Sequence, residues 1–81
     1  MSLIASRHHS TDELRLYPAM GLQQVYDTAL ALLYRGDELI HISPNNDEFP
    51  VTVANIKQAK VIRDRYIRDG IRYEPLPQIL D

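Results

Sequence analysis

The chain has 81 residues, of which 44% are hydrophobic and 25% charged, and its formal net charge is −2. This length allows one small domain with a modest core, and the composition is that of a globular protein rather than a disordered one. The absence of cysteine excludes disulfides, thiolate catalysis and cysteine-based metal sites, and it fits a reducing compartment. No apolar run is long enough to span a bilayer, and no secretory pattern is present. We therefore expect a cytoplasmic protein without membrane contact.

The first eleven residues show no apolar periodicity and contain the neighbouring His8 and His9. We predict a flexible N-terminal arm over residues 1–11, a single α+β domain over 12–76 and a C-terminal tail over 77–81. Two adjacent histidines in a mobile arm do not hold the geometry of a metal site, so we expect no metal ion there.

From Leu14 onwards, the spacing of the apolar residues changes repeatedly between a period of two and a period of 3.6. A period of two indicates a strand and a period of 3.6 indicates a helix. In chain order, the pattern predicts a strand from Leu14 that Pro18 ends, a helix over 20–34 closed by Gly36, a strand over 38–43, a strand over 49–53, a helix from the N-cap Asn55 to Gly70, and a brief strand over 71–74.

This order of elements predicts a ferredoxin-like βαββαβ two-layer sandwich. In that fold a four-stranded antiparallel sheet carries two helices on one face, and the other face is free to bind. Pro50 is difficult to place, because the third strand is an interior strand of this fold. Proline has no backbone N–H, so it cannot donate the hydrogen bond that an interior strand makes at that position. In the alternative arrangement, residues 36–53 form an isolated hairpin at one edge, in a dimer whose sheet is shared between two chains.

The stretch RGDELIHISPNNDEFPVTVANIKQA, residues 35–59, resembles the hairpin of the Phd/YefM antitoxins. Both have a glycine after a helix, an apolar strand, a turn, and then Pro-Val-x-Val before a helix. The resemblance covers less than a third of the chain, and a clearly basic N-terminal DNA-contacting region is missing. It implies an autoregulatory, dimeric DNA-binding protein whose C-terminal segment wraps a toxin.

Charge is unevenly distributed along the chain. Residues 57–72 contain six basic side chains against Asp64 and Asp69, a balance of +4, which leaves −6 for the remainder. Lys60 with Asp64, and Arg65 with Asp69, have the spacing of helical ion pairs. The pattern predicts either a solvated helix face or a docking surface for an acidic partner, with four basic contacts: Lys57, Lys60, Arg65 and Arg68.

A second candidate surface lies on the free face of the predicted sheet. If Ile40 and Ile42 face the helices, that free face carries a polar patch able to grip a carboxylate or a phosphate. Nucleic acid is the alternative ligand, with Lys57, Lys60, Arg65 and Arg68 as its phosphate contacts, although Tyr17 is the only aromatic residue that the free face offers for stacking bases. The members of the patch are Arg15, Tyr17, His41, Thr52 and Arg72.

The titratable residues form no catalytic cluster that the sequence reveals, and the common phosphate-binding, metalloprotease and nucleophile motifs are absent. We therefore predict no catalytic residues, no cofactor and no metal. The predicted function is that of a small non-catalytic protein-binding module that docks on a larger, acidic protein and inhibits or regulates it. A homodimer is a further expectation, and a nucleic-acid-binding regulator is the alternative function.

Overall fold

The computed structural model describes residues 1–43, 51–70 and 79. These residues form a small α+β domain in which a three-stranded antiparallel sheet packs against two helices. The predicted fourth strand, over 71–74, lies outside the described residues and stays a prediction. The elements in chain order are β1 (Ser2–Arg7), β2 (Leu14–Ala19), α1 (Gly21–Arg35), β3 (Glu38–Ser43) and α2 (Val53–Arg68).

The predicted N-terminal arm is wrong, because β1 is the central strand of the sheet. β1 pairs with β2 on one side and with β3 on the other, both antiparallel. The β1–β2 connection is held by a hydrogen bond from His8 N to Glu13 O at 2.8 Å and by one from Asp12 N to His8 O at 3.0 Å. The domain therefore begins within the residues predicted to be mobile.

β2 continues past Pro18, which was predicted to end it. Pro18 lies opposite Leu3 in the ladder, and Ala19 lies opposite Ser2. β2 is an edge strand in the order β2-β1-β3 that the described residues form. An edge strand tolerates proline because one row of its backbone donors faces away from the sheet.

β3 has an irregular register that reverses part of its predicted pattern. Ala5 pairs with His41, but the next residue of β1, Ser6, pairs with Leu39, so Ile40 is an extra residue in a β-bulge. Leu39 and Ile42 are consequently both buried, whereas Ile40 is exposed. The sequence analysis placed both Ile40 and Ile42 towards the helices; for Ile40 that prediction is wrong.

Helix α1 agrees with the predicted helix over 20–34. The buried residues Val25, Ala29 and Leu32 recur at helical spacing. Gly36 follows the helix with φ 101°, its N–H donates to Leu33 O, and Asp37 N donates to Leu32 O. These two bonds form a Schellman motif, which needs a left-handed residue at the position of Gly36.

Helix α2 begins earlier than predicted and replaces the end of the predicted third strand. Thr52 is the N-cap, and Thr52 and Asn55 form a capping box in which each side chain bonds the other's backbone N–H at 3.2 Å. Residues 51 and 52 are not in a strand, and residue 53 is already helical. Residues 44–50 of the predicted hairpin lie outside the described residues.

The core lies between one face of the sheet and the two helices. Ile4, Leu32 and Ile56 are its largest fully buried apolar side chains, one each from β1, α1 and α2. Ser6 is also fully buried, and its Oγ has no hydrogen-bond partner among the described residues. Ile79 from the predicted tail packs against this core, so the packed domain extends beyond the predicted range 12–76 at both ends.

Candidate functional site

The sheet face that points away from the helices carries exposed leucines. Leu3, Leu14 and Leu16 are 37%, 59% and 62% exposed, whereas Ile4 on the other face of β1 is 0% exposed. Residues paired across a sheet share a face, and Ala5 pairs with Leu16. We call this surface the open face; its apolar members are Leu3, Ala5, Leu14, Leu16 and Pro18, and its polar members are Arg7, Glu38, His41 and Ser43.

Two residues predicted for the open face lie on the opposite side. Tyr17 pairs with the buried Ile4, and Arg15 pairs with the buried Ser6, so both point to the helix-covered face. The prediction assumed that Leu14 and Leu16 face the core, and the register reverses this assignment.

The remaining members of the predicted patch do not form one site. His41 lies on the open face as predicted, opposite Ala5. Thr52 caps α2 and is not in the sheet. Arg72 lies outside the described residues. The predicted five-residue patch is therefore not assembled.

Helix α2 presents a basic stripe to the solvent. Lys57, Arg65 and Arg68 are exposed, and Lys57 and Arg65 make no ion pair within the described part of the chain. Arg68 Nε lies 3.7 Å from Asp69 Oδ1, so Asp69 pairs with Arg68 and not with Arg65 as predicted. Three of the four predicted basic contacts are thus exposed on one helix face.

Lys60, the fourth predicted contact, is engaged at the junction of the two helices. Its Nζ lies 2.8 Å from Asp64 Oδ2, as predicted, and 5.2 Å from the centre of the Tyr34 ring. The Arg63 guanidinium lies 5.8 Å from the same ring, and Tyr34 Oη donates to Asp64. Hydrogen bonds from Lys60 and Tyr34 lower the pKa of the Asp64 carboxyl. These contacts hold α1 against α2.

The outer side of α2 also carries apolar side chains. Ile62 is 44% exposed there, whereas Ile67, although 50% exposed, lies at helical spacing from the buried Arg63 and so on the core side of the helix. Val61 is exposed as well, and it lies on the basic stripe because positions 57, 61, 65 and 68 follow helical spacing. We call Lys57, Val61, Ile62, Arg65 and Arg68 the outer face of α2.

A buried carboxylate joins three elements beside β1. The Asp37 side chain has no exposed surface, and its Oδ1 accepts from the backbone N–H of His9 at 3.0 Å. His9 Nδ1 lies 2.8 Å from the same oxygen. Arg35 Nε donates to both oxygens at 3.2 Å, and the Arg35 guanidinium also donates to Tyr17 Oη at 2.8 Å. The β1–β2 connection is thereby tied to the end of α1.

The environment of Asp37 favours its charged form. Burial alone raises the pKa of this carboxyl, but the hydrogen bonds from Arg35 and His9 outweigh burial and lower the pKa from 3.8 to about 2. The Schellman motif places the carboxylate, because Asp37 is the residue directly after Gly36. The sequence signal for this network was Arg35-Gly36-Asp37, of which only Gly36 was interpreted, as the end of the helix.

The histidine pair lies in an ordered turn and not in an arm. His8 Nδ1 accepts from the backbone N–H groups of Ser10 at 3.2 Å and Thr11 at 3.3 Å. The His8 and His9 rings are 4.3 Å apart, and His9 bonds Asp37. Both side chains thus help to fix the turn. The part of the chain that the structure describes contains no group of three or more side chains arranged to bind a metal ion.

Comparison with known proteins provides no relatives. No family model matches the chain, no curated protein is similar to it, and no solved structure matches its fold. The resemblance to the Phd/YefM hairpin therefore has no support beyond the residues quoted for it. Within residues 1–43, 51–70 and 79, neither helix has the length and apolar character that crossing a bilayer requires.

Proposed function

We propose that the chain is a non-catalytic protein-binding module that docks on a larger partner protein through its open face and regulates that partner. The observation that carries the proposal is the exposure of Leu14 and Leu16, which stand next to Leu3 and Ala5 on one side of the sheet. Contiguous exposed apolar groups with a polar border are typical of interaction sites. The absence of cysteine fits action in the cytoplasm.

The geometry of the open face suits a protein partner. Three neighbouring strands present a continuous surface, with leucines on β1 and β2 and the polar His41 and Ser43 on β3. Covering the leucines removes apolar area from water, at about 25 cal/mol per Å². His41 and Ser43 supply hydrogen-bonding groups that fix orientation more than affinity.

The variant Leu14→Thr/Leu16→Thr tests this function. Threonine keeps the preference for strands but removes most of the apolar area, so binding of the partner is expected to weaken at least about tenfold. Proteins captured from the native lysate by the unaltered chain are identified, purified and titrated against both forms by calorimetry.

Leu22→Gln is the matched control, because Leu22 is also exposed but lies on α1, away from the open face. This control should bind the purified partner as tightly as the unaltered chain. Equal affinity of the threonine variant for every captured protein would remove the open face from the proposal.

A nucleic-acid-binding regulator is the second candidate, and the exposed Lys57, Arg65 and Arg68 favour it. Binding of duplex DNA or single-stranded RNA should then fall steeply as salt rises, because cations on the protein displace counterions. Arg65→Glu/Arg68→Glu should abolish that binding. Fluorescence anisotropy with labelled oligonucleotides measures both effects, and salt-independent or absent binding would exclude this candidate.

A further inference from the structure

We propose that the outer face of α2 binds a short, extended acidic segment of a partner protein, in which two carboxylates stand four residues apart with an apolar residue midway. This surface is separate from the open face, so the inference does not depend on the function proposed above. It assigns a ligand chemistry to Lys57, Val61 and Arg65, all of which are exposed.

Positive charge on α2 is separated from negative charge. Asp64 is the one acidic residue of this helix, and its carboxyl is held at the junction with α1 by Lys60 and Tyr34. Lys57 and Arg65 make no ion pair with any of the described side chains. The outer face therefore carries uncompensated positive charge, and the complementary partner is anionic.

Two cations and one apolar residue of the outer face lie in a single row. Lys57, Val61 and Arg65 follow one another at intervals of four residues, so their side chains form a ridge along the helix. Lys57 and Arg65 are about 12 Å apart along the axis, and Val61, which is 57% exposed, lies midway. In an extended peptide, side chains four residues apart share one side and are about 13 Å apart. Two carboxylates at that spacing reach both cations, and the residue between them covers Val61.

The net charge of the chain favours a short segment over an extended polyanion. Residues 57–72 carry +4, but the whole chain carries −2, so the rest of the molecule repels a long anionic ligand. Nucleic acid binds such a face through its phosphates, which leave the exposed Val61 and Ile62 without an apolar cover. The outer face also lacks the large aromatic side chains with which helices insert into a membrane surface. A short acidic segment with one apolar residue matches both the cations and the apolar groups.

A synthetic nine-residue peptide tests the spacing and the charge of the ligand. It carries glutamate at its third and seventh positions, leucine at its fifth and serine elsewhere. It is titrated into the isotopically labelled chain and followed by NMR at about 50 mM salt, because exposed ion pairs are weak and are screened by salt. We expect saturable shifts in the backbone signals of residues 57–68 and no shifts in those of β1 and β2. A peptide with glutamine in place of both glutamates, and one with the two glutamates adjacent, should each bind at least about fivefold more weakly.

Two variants with the same change in net charge test the surface. Lys57→Gln/Arg65→Gln removes both cations of the row and should weaken binding of the peptide at least about fivefold. Arg7→Glu is the matched control, because it also makes the net charge more negative by two but lies on the open face. The control should change the affinity by less than about twofold, since a charge at that distance is screened. Circular dichroism confirms that both variants are folded.

Absence of shifts at millimolar peptide would overturn the inference, and so would unchanged affinity of the glutamine peptide or of Lys57→Gln/Arg65→Gln. Tighter binding of a DNA duplex, or of vesicles containing phosphatidylserine, in the same buffer would also overturn it and would assign the outer face to nucleic acid or to a membrane. Leu14→Thr/Leu16→Thr should bind the peptide like the unaltered chain. If the peptide fails but a purified partner depends on Leu14 and Leu16, this inference fails while the proposed function stands; if the peptide binds but no partner depends on them, the reverse holds.

Discussion

Replacing Ile4 with alanine is expected to lower the free energy of unfolding by about 3 kcal/mol. Ile4 is fully buried at the centre of the sheet, between Tyr17 on β2 and Ile42 on β3. The smaller side chain leaves a cavity that the surrounding core cannot fully close. Urea denaturation followed by circular dichroism measures the loss as a lower midpoint with an unchanged slope.

Leu3→Ala is the matched control, because Leu3 is the neighbouring residue of the same strand but lies on the open face. Its removal should cost less than about 1 kcal/mol, since the side chain is already partly in water. If Ile4→Ala were as mild as Leu3→Ala, the N-terminal segment would be a dispensable arm and not the central strand.

Asp37→Asn is expected to lower the free energy of unfolding by about 3 kcal/mol at neutral pH. The substitution removes the negative charge that Arg35 and His9 contact and leaves the Arg35 guanidinium without its main partner at a half-buried position. Asp12→Asn serves as the control, because Asp12 is an exposed aspartate whose ion pair with Arg7 is in water. Asp12→Asn should change the stability by less than about 1 kcal/mol, and chemical denaturation compares the two variants.

The same carboxylate makes stability depend on acid pH. The pKa of Asp37 is about 2 in the folded chain, below its ordinary 3.8. The charged Asp37 carboxylate therefore contributes its full stabilisation to the folded state above about pH 4. This contribution to the free energy of unfolding, roughly 2 kcal/mol, is lost as the pH falls from 4 towards 2. The difference in unfolding free energy between the unaltered chain and Asp37→Asn should shrink over that interval. A constant difference would mean that Asp37 is not a charged partner in the folded state.

The helices were predictable because local physical rules determine them. Val25, Ala29 and Leu32 repeat with the helical period, and Gly36 provides the left-handed residue that closes α1. Gly70 likewise has a positive φ just after the end of α2. Both signals depend on residues close in sequence, so one sequence is enough to recognise them.

The central strand could not be recognised, because the burial of its side chains contradicts their polarity. Ser6 is fully buried while Leu3 is partly exposed, so β1 lacks the alternation of apolar and polar residues that indicates a strand. Its position depends on two partner strands distant in sequence. Tertiary pairing, and not local preference, therefore decides the structure of residues 2–7.

The candidate site was only partly predictable, because some of its residues follow from local spacing and others depend on tertiary pairing. The exposed basic residues Lys57, Arg65 and Arg68 follow from helical spacing alone. Leu14 and Leu16 of the open face were assigned to the core, since an apolar residue in a strand normally faces inwards, and Leu3 was assigned to the N-terminal arm. The Asp37 network links residues 28 positions apart, and no sequence period reports such a contact.

The bulge at Ile40 affects how relatives of this chain should be recognised. Leu39 and Ile42 both face the core although they are three residues apart, with Ile40 and His41 between them. A homologous strand would keep apolar residues at those two positions and vary freely between them. A relative that lost one residue at this point would regain regular alternation and present a different row of side chains on its free surface. Gain or loss of that single residue would therefore change the free surface while the core positions stay the same.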